Sequence, residues 1–192
     1  MTVSNPVIYV FFGLIATGKS TLARKWAARY GLEYYNSDLA RKELAGIGMT
    51  QGSKSGFESG IYTADFTQRT YQALLQHAQG ALRKGKSVVL DASYSAREKR
   101  REVVGLATRL QADCWFILCQ CPEPEMRRRM EKRAADPEAV SEGRWEIYLQ
   151  QKKKFEYPDE LGDDLIILNT ISEPDHLLDV LEDEIQRRKR AK

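Results

Sequence analysis

One short segment, Gly13 to Ser20, constrains the fold of this chain more than any other. It reads Gly-Leu-Ile-Ala-Thr-Gly-Lys-Ser, follows the apolar run Val7 to Phe12, and precedes a helical pattern from Thr21 to Tyr30. A strand, a glycine loop and a helix in this order can cradle phosphate, because the loop turns its N–H groups inward and the helix N-terminus adds positive potential. The segment therefore predicts a nucleotide-binding P-loop.

The P-loop supplies most of the predicted ligand contacts. Lys19 can reach the β- and γ-phosphates, and the Ser20 hydroxyl can hold Mg²⁺. The expected ligands are therefore ATP and Mg²⁺. The residues of this segment predicted to contact ATP are Gly13, Ala16, Thr17, Gly18, Lys19, Ser20 and Thr21.

Composition favours a single cytoplasmic domain over residues 1–192. Hydrophobic residues make up 42% and charged residues 30%, which is ordinary for a globular protein, and a net charge of +3 does not by itself indicate nucleic acid. We expect no signal peptide, and the longest apolar run, Val7 to Ile15, is too short to cross a bilayer. The chain has an odd count of cysteines, Cys114, Cys119 and Cys121, which indicates reduced and buried thiols. A metal site is not expected, since no second pair completes one.

Apolar runs alternate with helical patterns five times along the chain. This alternation predicts a three-layer α/β P-loop NTPase fold with a five-stranded parallel sheet and a helical lid at about residues 124–155. Ser95 to Glu98 matches a capping box that opens a helix. The glycine-rich stretch Gly46 to Gly60 has no periodicity, and it fits a mobile substrate flap and passive disorder equally well. The predicted strands are 7–12, 32–36, 87–91, 114–119 and 165–168.

Four segments are expected at one edge of this sheet. Ligands of parallel α/β sheets bind beyond the carboxyl ends of the strands, and the P-loop, Asp38, Asp91 and Asn169-Thr170 all follow strands there. The sequence therefore predicts a single crevice. Asp91 could hold Mg²⁺ through water, orient a substrate, or cap the next turn.

Three wider classes of protein share a P-loop: switch GTPases, motor or AAA+ type ATPases, and kinases. The Asn-Lys-x-Asp sequence with which GTPases read guanine is absent. The third predicted strand ends in Leu90-Asp91-Ala92-Ser93, without the second acid of a motor-type ATPase. A kinase needs a base for the acceptor hydroxyl and cations for the transferred phosphoryl group, and both have candidates here.

Asp38 is the candidate base. It follows Lys19 by one helix and one strand, which returns it to the same sheet edge, where a carboxylate could accept a proton from an attacking hydroxyl. Its alternative role is that of a helix N-cap. Arg41 favours the base, because it places a permanent cation one helical turn away on the same side. Asp38, Arg41 and Asp91 are the predicted substrate contacts.

A second source of positive charge is the predicted helix 124–135, where Arg129 and Arg133 share one face. Charge runs of this kind are often solvated surface. This helix, however, follows the fourth strand, where P-loop kinases place a lid whose arginines close over ATP and exclude water. Arg133 is the candidate for the transferred phosphoryl group, Arg129 is a predicted ATP contact, and Asn169 lies where such kinases seat adenine.

These motifs resemble a bacterial family of predicted P-loop kinases, often named only AAA family ATPase or ATP-binding protein. The layout is also similar to the kinase domain of phage-type polynucleotide 5′-kinase, and to zeta toxin, chloramphenicol phosphotransferase and gluconate kinases. By that likeness Lys19 and Ser20 act on ATP, Asp38 is the general base, Arg41 contacts the acceptor's phosphate, and Arg133 is the lid arginine. The segments that carry the resemblance are 13–20, 36–44, 90–92 and the helix with Arg129 and Arg133.

The sequence thus predicts an ATP-dependent kinase that phosphorylates a hydroxyl group of an unidentified small molecule. One alternative is a polynucleotide 5′-hydroxyl kinase, against which the modest net charge weighs. Another is an ATP-binding regulatory module without an acceptor. No membrane partner is expected, and nothing in the sequence sets the oligomeric state.

Overall fold

A sheet of five parallel strands forms the middle layer, in the order β2-β3-β1-β4-β5. The structure is a computed structural model that describes residues 5–46, 63–134 and 145–191, without the side chains of residues 133 and 134. Residues 47–60 of the glycine-rich loop lie outside the described residues, so both interpretations of that loop stay predictions. The strands are β1 (Val7–Phe12), β2 (Glu33–Asn36), β3 (Val88–Asp91), β4 (Asp113–Gln120) and β5 (Leu165–Asn169).

Helices cover both faces of the sheet. They are α1 (Lys19–Tyr30), α2 (Ser37–Leu44), α3 (Ala64–Leu82), α4 (Arg97–Arg109), α5 (Glu123–Ala134), α6 (Trp145–Lys154) and α7 (Pro174–Ala191), and a 3-10 helix spans Asp159–Asp164. Together these elements form the three-layer α/β P-loop NTPase fold that the alternation of strands and helices predicts. That prediction is confirmed. No helix in the described part of the chain is both long and apolar enough to cross a membrane.

The side chains of the central strand β1 alternate between the two faces of the sheet, and each set packs against the helices on its own face. Val10 and Phe12 are fully buried against α3 and α4 on one face. Val7 and Phe11 point to the other face, where α1 and α7 supply the core. Full burial of one such side chain stabilises the fold by roughly 1.5–3 kcal/mol.

The starts of α4 and α1 differ from the sequence predictions. The capping box at Ser95 is wrong: α4 begins after Ala96, and no side chain caps it. The Ser95 carbonyl instead accepts hydrogen bonds from the Glu156 N–H and the buried Arg100 guanidinium, which fix this turn from other parts of the chain. Helix α1 begins at Lys19, two residues earlier than predicted.

The strand order determines where the site lies. Because β1 is central, the P-loop that follows it lies between the end of β3 and the end of β4. Asp91 ends β3, and Asn36 ends β2 directly beside it in the parallel register. The sheet therefore brings the predicted segments to one edge, at a switch point where α/β proteins bind ligands.

Candidate nucleotide and acceptor site

The P-loop keeps its shape through backbone conformations that few residues tolerate. Gly13 has φ 137°, Ala16 φ 62° and Gly18 φ 84°. A Cβ atom added at Gly13 would lie 2.4 Å from the Cys119 carbonyl oxygen, a backbone atom that cannot move aside. The loop is thus built against β4, and its first glycine is required by contact as well as by conformation.

The helix that follows the loop begins without a side-chain cap. Gly18 is the N-cap residue of α1, no side chain accepts a hydrogen bond from the first turn, and this turn contains no acidic residue. The Thr17 hydroxyl donates to the Leu14 carbonyl at 2.8 Å, and Lys19 Nζ lies 3.4 Å from the same oxygen. The first N–H groups of α1 therefore remain available to an anion.

Thr170 and Arg129 secure the loop from behind. The buried Thr170 hydroxyl donates to the Thr17 carbonyl at 2.6 Å. Arg129 Nη1 lies 3.2 Å from the Thr170 hydroxyl and 3.4 Å from the Ala16 carbonyl. These bonds join the end of β5, α5 and the P-loop at one point.

Glu125 sets the orientation of Arg129 within α5. Its carboxylate accepts from Arg128 Nε and from Arg129 Nε, each at 2.7 Å. Hydrogen bonds from Arg128 and Arg129 lower the pKa of Glu125 to about 2, so this anchor is ionised at neutral pH. The structure therefore places Arg129 against the loop, and a contact between Arg129 and ATP stays a prediction.

A second tie to the loop comes from α6, and sequence reasoning missed it. Gln151 Oε1 accepts a hydrogen bond from the Ile15 N–H at 2.8 Å, although 136 residues separate the two. A small apolar cluster surrounds this bond, with Ala16 of the loop and Tyr148 of α6 among its buried members. No local signal identifies such a pair, because glutamines on a lysine-rich helix are typical of a solvated surface.

On the other side of the crevice, α2 carries the candidate base. The N-cap of α2 is Asn36, whose side-chain oxygen accepts from the N–H groups of Asp38 at 2.9 Å and Leu39 at 3.1 Å. Asp38 is therefore not the cap. Its side chain is exposed, and no hydrogen bond or ion pair holds its carboxylate within residues 5–46, 63–134 and 145–191.

Arg41 lies one turn further along α2 and is buried, with 8% of its surface exposed. Its Nη1 donates to the Thr67 hydroxyl of α3 at 3.3 Å. A phenol, Tyr71, lies near both charged groups of α2: burial raises its pKa, the Asp38 charge raises it further, and the Arg41 charge opposes them. The predicted pair thus faces one polar region, which also contains the Ser93 hydroxyl 3.0 Å from the Tyr71 oxygen.

Asp91 is fully buried at the end of β3. Its Oδ2 accepts from the Tyr34 hydroxyl at 2.6 Å and from Asn36 Nδ2 at 2.7 Å. Burial, and then the nearby Asp91 charge, raise the pKa of Tyr34. The buried Oδ1 has no hydrogen-bond partner among the described residues, and no described backbone N–H donates to Asp91. A role as the cap of the next turn is therefore wrong, and a contact of Asp91 with Mg²⁺ or a substrate stays a prediction.

The remaining predicted residues have mixed positions. Asn169 is exposed, and its side chain accepts from the Ile171 N–H at 3.3 Å, so its contact with adenine stays a prediction. Arg133 belongs to α5, but its side chain lies outside the described residues. Cys114, Cys119 and Cys121 are free thiols, and burial raises the pKa of Cys119. In the described ranges no cluster of three histidine, cysteine or acidic side chains could hold a metal ion.

Comparison with known proteins supplies the family. Residues 8–158 match the AAA domain family designated AAA_33. The chain belongs to this family. This agrees with the resemblance seen in the sequence, and similar solved structures include a sugar kinase and an APS kinase. Over 97 residues this chain is 35% identical to an uncharacterized protein of Mycobacterium tuberculosis. The matched stretch covers 50% of this chain but only 19% of that protein.

Two solved structures illustrate the shared fold. An unliganded sugar kinase from Janibacter sp. HTCC2649 is 20% identical, with a TM-score of 0.64 and coverage of 95% of both chains. An APS kinase of Mycobacterium tuberculosis, solved with AMPPNP and APS, is 17% identical, with a TM-score of 0.65 and coverage of 95% of this chain and 98% of that one. At these identities the likeness establishes the fold.

Proposed function

We propose that this AAA domain protein is a kinase that transfers the γ-phosphoryl group of ATP to a hydroxyl group of a small molecule. The observation that carries the proposal is that two different residues cap α2 and present a carboxylate at the crevice. Asn36 caps the helix, so the Asp38 carboxylate at the crevice is exposed and unpaired within the described residues. A carboxylate in that state can accept the proton of an attacking hydroxyl.

The donor side binds ATP through backbone geometry. The uncapped first turn of α1 offers N–H groups to the phosphates, and Lys19 leaves its contact with the Leu14 carbonyl to reach them. Phosphoryl transfer depends mainly on positioning and on charge stabilisation, and a rigid loop with one mobile cation suits both. Arg133 is the proposed cation for the transferred group when the lid closes.

The residues present fit Mg²⁺. Ser20 lies in the first turn of α1, where its hydroxyl can coordinate a metal ion beside the phosphates. The buried Asp91 Oδ1, without a partner among the described residues, can accept from a water of the ion's shell. The ion would neutralise charge on the β- and γ-phosphates, and Asp91 would hold its water in place.

Arg41 favours an acceptor with an anionic or polar group near the reacting hydroxyl. It lies one helical turn from Asp38 on α2, and it is buried beside Thr67. Its fork of donors can bind such a group while Asp38 orients the hydroxyl. Small-molecule substrates are also in keeping with the sugar kinase and the APS kinase that share this fold.

A transfer screen with ATP labelled at the γ-phosphate tests the proposal. Sugars, nucleosides, antibiotics and oligonucleotides with a free 5′-hydroxyl serve as acceptors, and Asp38→Asn is the matched control. We expect labelled product from one class of small molecule with the wild-type chain and none with Asp38→Asn. Label on the oligonucleotide would instead establish a polynucleotide kinase, and ATP binding with no labelled product from any class would establish a regulatory module.

A further inference from the structure

Asn36 makes contacts that its position at the end of β2 does not require. Its side-chain oxygen faces α2 and accepts from two N–H groups, at 2.9 Å from Asp38 and 3.1 Å from Leu39. Its side-chain nitrogen faces β3 and donates to Asp91 Oδ2 at 2.7 Å. One amide thus joins the first turn of the base-carrying helix to a buried carboxylate on the neighbouring strand.

The chemistry of this position selects an amide. One side of the residue needs an acceptor for the helix N–H groups, and the other side needs a donor for Asp91. An aspartate would cap α2 equally well, but it would place a carboxylate against a carboxylate. A serine would also cap the helix, but its single short hydroxyl cannot serve both sides at once.

Asp91 in turn depends on Asn36 for its orientation. The carboxylate is fully buried, and both of its observed donors, Tyr34 and Asn36, act on the same oxygen. Holding Oδ2 in this way leaves Oδ1 as the oxygen without a hydrogen-bond partner among the described residues. The two hydrogen bonds, at 2.6 and 2.7 Å, are charge-assisted and therefore strong, so they can hold the carboxylate in one rotamer.

We infer that Asn36 is a positioning residue that fixes the distance between the Asp38 base and the Asp91 carboxylate. Asp38 is exposed, so the packing of its side chain does not set its place, and the anchor of its backbone N–H does. The inference rests on the proposed function, because it assigns these two acids to the acceptor and to the metal water. Its consequence is that the cap and the link to Asp91 are separable functions of one side chain.

The test uses Asn36→Ser, which keeps an N-cap and removes the donor to Asp91, and Ser37→Ala as the matched neighbour. Titration calorimetry measures ATP binding with Mg²⁺ and with EDTA. We expect Asn36→Ser to unfold within a few degrees of wild type and to bind ATP normally in EDTA. The gain in affinity on adding Mg²⁺ should fall about ten-fold, the equivalent of one charge-assisted hydrogen bond. With the acceptor from the screen, kcat should fall by a similar factor. The KM for ATP in EDTA-free buffer should rise by the factor that calorimetry gives for the loss of affinity.

Tyr34→Phe is the second variant, because it removes the other donor to Asp91 and leaves the cap of α2 intact. It should reduce the Mg²⁺-dependent gain as Asn36→Ser does, and Asn36→Asp, which also keeps the cap and removes the donor, replaces Asn36→Ser if that variant does not fold. An unchanged Mg²⁺-dependent gain in both variants would overturn the inference and leave Asn36 as a simple cap. Failure of the transfer screen would overturn the proposed function alone, since the calorimetric comparison needs no acceptor.

Discussion

Two helices begin at the crevice, and their N-termini differ in one respect. Helix α1 starts after Gly18 with no side-chain cap, whereas α2 starts after Asn36, whose oxygen accepts from two N–H groups. The N-terminus without a side-chain cap leaves N–H groups available to an anion, which suits the phosphates of a nucleotide. The capped one leaves the Asp38 carboxylate outside the cap, where the proposed function needs a base. In that proposal the same local element serves binding on one side of the site and catalysis on the other.

The two sides also differ in how they are built. Backbone conformation and backbone contact form the donor side, as the positive φ of Gly13 and its approach to Cys119 show. Side-chain hydrogen bonds form the acceptor side, from Asn36 and Tyr34 to Asp91. Substitutions should therefore damage the donor side through strain and the acceptor side through lost positioning.

Among the variants of the donor side, the largest effect is expected for Lys19→Met, which removes the cation of the loop. Loss of one preorganised charge at a transferred phosphoryl group should lower kcat by about 10²–10³-fold and weaken ATP binding as well. Lys25→Met is the control on the same helix, since Lys25 pairs with the exposed Asp175 on the surface. Wild-type transfer by Lys19→Met, measured with labelled ATP, would contradict the role of the loop.

Gly13→Ala should act through strain. The new Cβ would meet the Cys119 carbonyl oxygen at 2.4 Å in a backbone conformation unsuited to alanine. We expect the free energy of unfolding to fall by roughly 2–3 kcal/mol and ATP binding to weaken with it. Gly80→Ala in α3, where nothing lies within 4 Å, should instead stabilise the chain by about 0.5–1 kcal/mol. Equal denaturation midpoints for the two variants would show that the loop tolerates a side chain.

Thr170→Val tests the support behind the loop at nearly constant volume. It removes the bond to the Thr17 carbonyl and one partner of Arg129. The expected cost is about 1–2 kcal/mol, seen as weaker ATP binding in calorimetry. Thr108→Val, on the exposed face of α4, should change nothing measurable. Wild-type ATP affinity in Thr170→Val would mean that the loop keeps its shape without β5.

Gln151→Ala should have the smallest effect of the series. Freeing the Ile15 N–H from its 2.8 Å bond makes the loop less preorganised, which should weaken ATP binding by about two- to five-fold. Gln150→Ala is the control, because Gln150 is the exposed neighbour. Tighter binding in Gln151→Ala would reverse the interpretation, since Gln151 would then compete with a phosphate for this N–H.

The fold and the donor side could be predicted from the sequence because their signals are local. Glycines at fixed spacing, apolar runs and helical periodicity lie within short windows, and the parallel sheet follows from their alternation. Asp38 and Asp91 were also within reach, since both follow strands at one edge of the sheet. Whether Asp38 acts as a base or as a helix cap could not be decided from the sequence. That choice depends on whether the side chain of Asn36 or that of Asp38 accepts from the helix N–H groups.

The contacts that secure the site could not be predicted, since they join residues distant in sequence. Gln151 meets Ile15 across 136 residues, and Thr170 meets Thr17 across 153. The failed capping box at Ser95 has the same cause, because Arg100 and Glu156 compete for that turn. Pairing of this kind follows from the packed fold and leaves no pattern in the chain.

Calorimetry of ATP with Mg²⁺ binding to Asp38→Asn, beside labelled transfer to the identified acceptor, tests the central claim most directly. The two halves of the site are separate, so the variant should bind ATP at least as tightly as wild type while transfer falls by about 10²–10⁴-fold, the contribution of a general base. Transfer at the wild-type rate, or loss of ATP binding together with transfer, would contradict the assignment of Asp38 to the acceptor side.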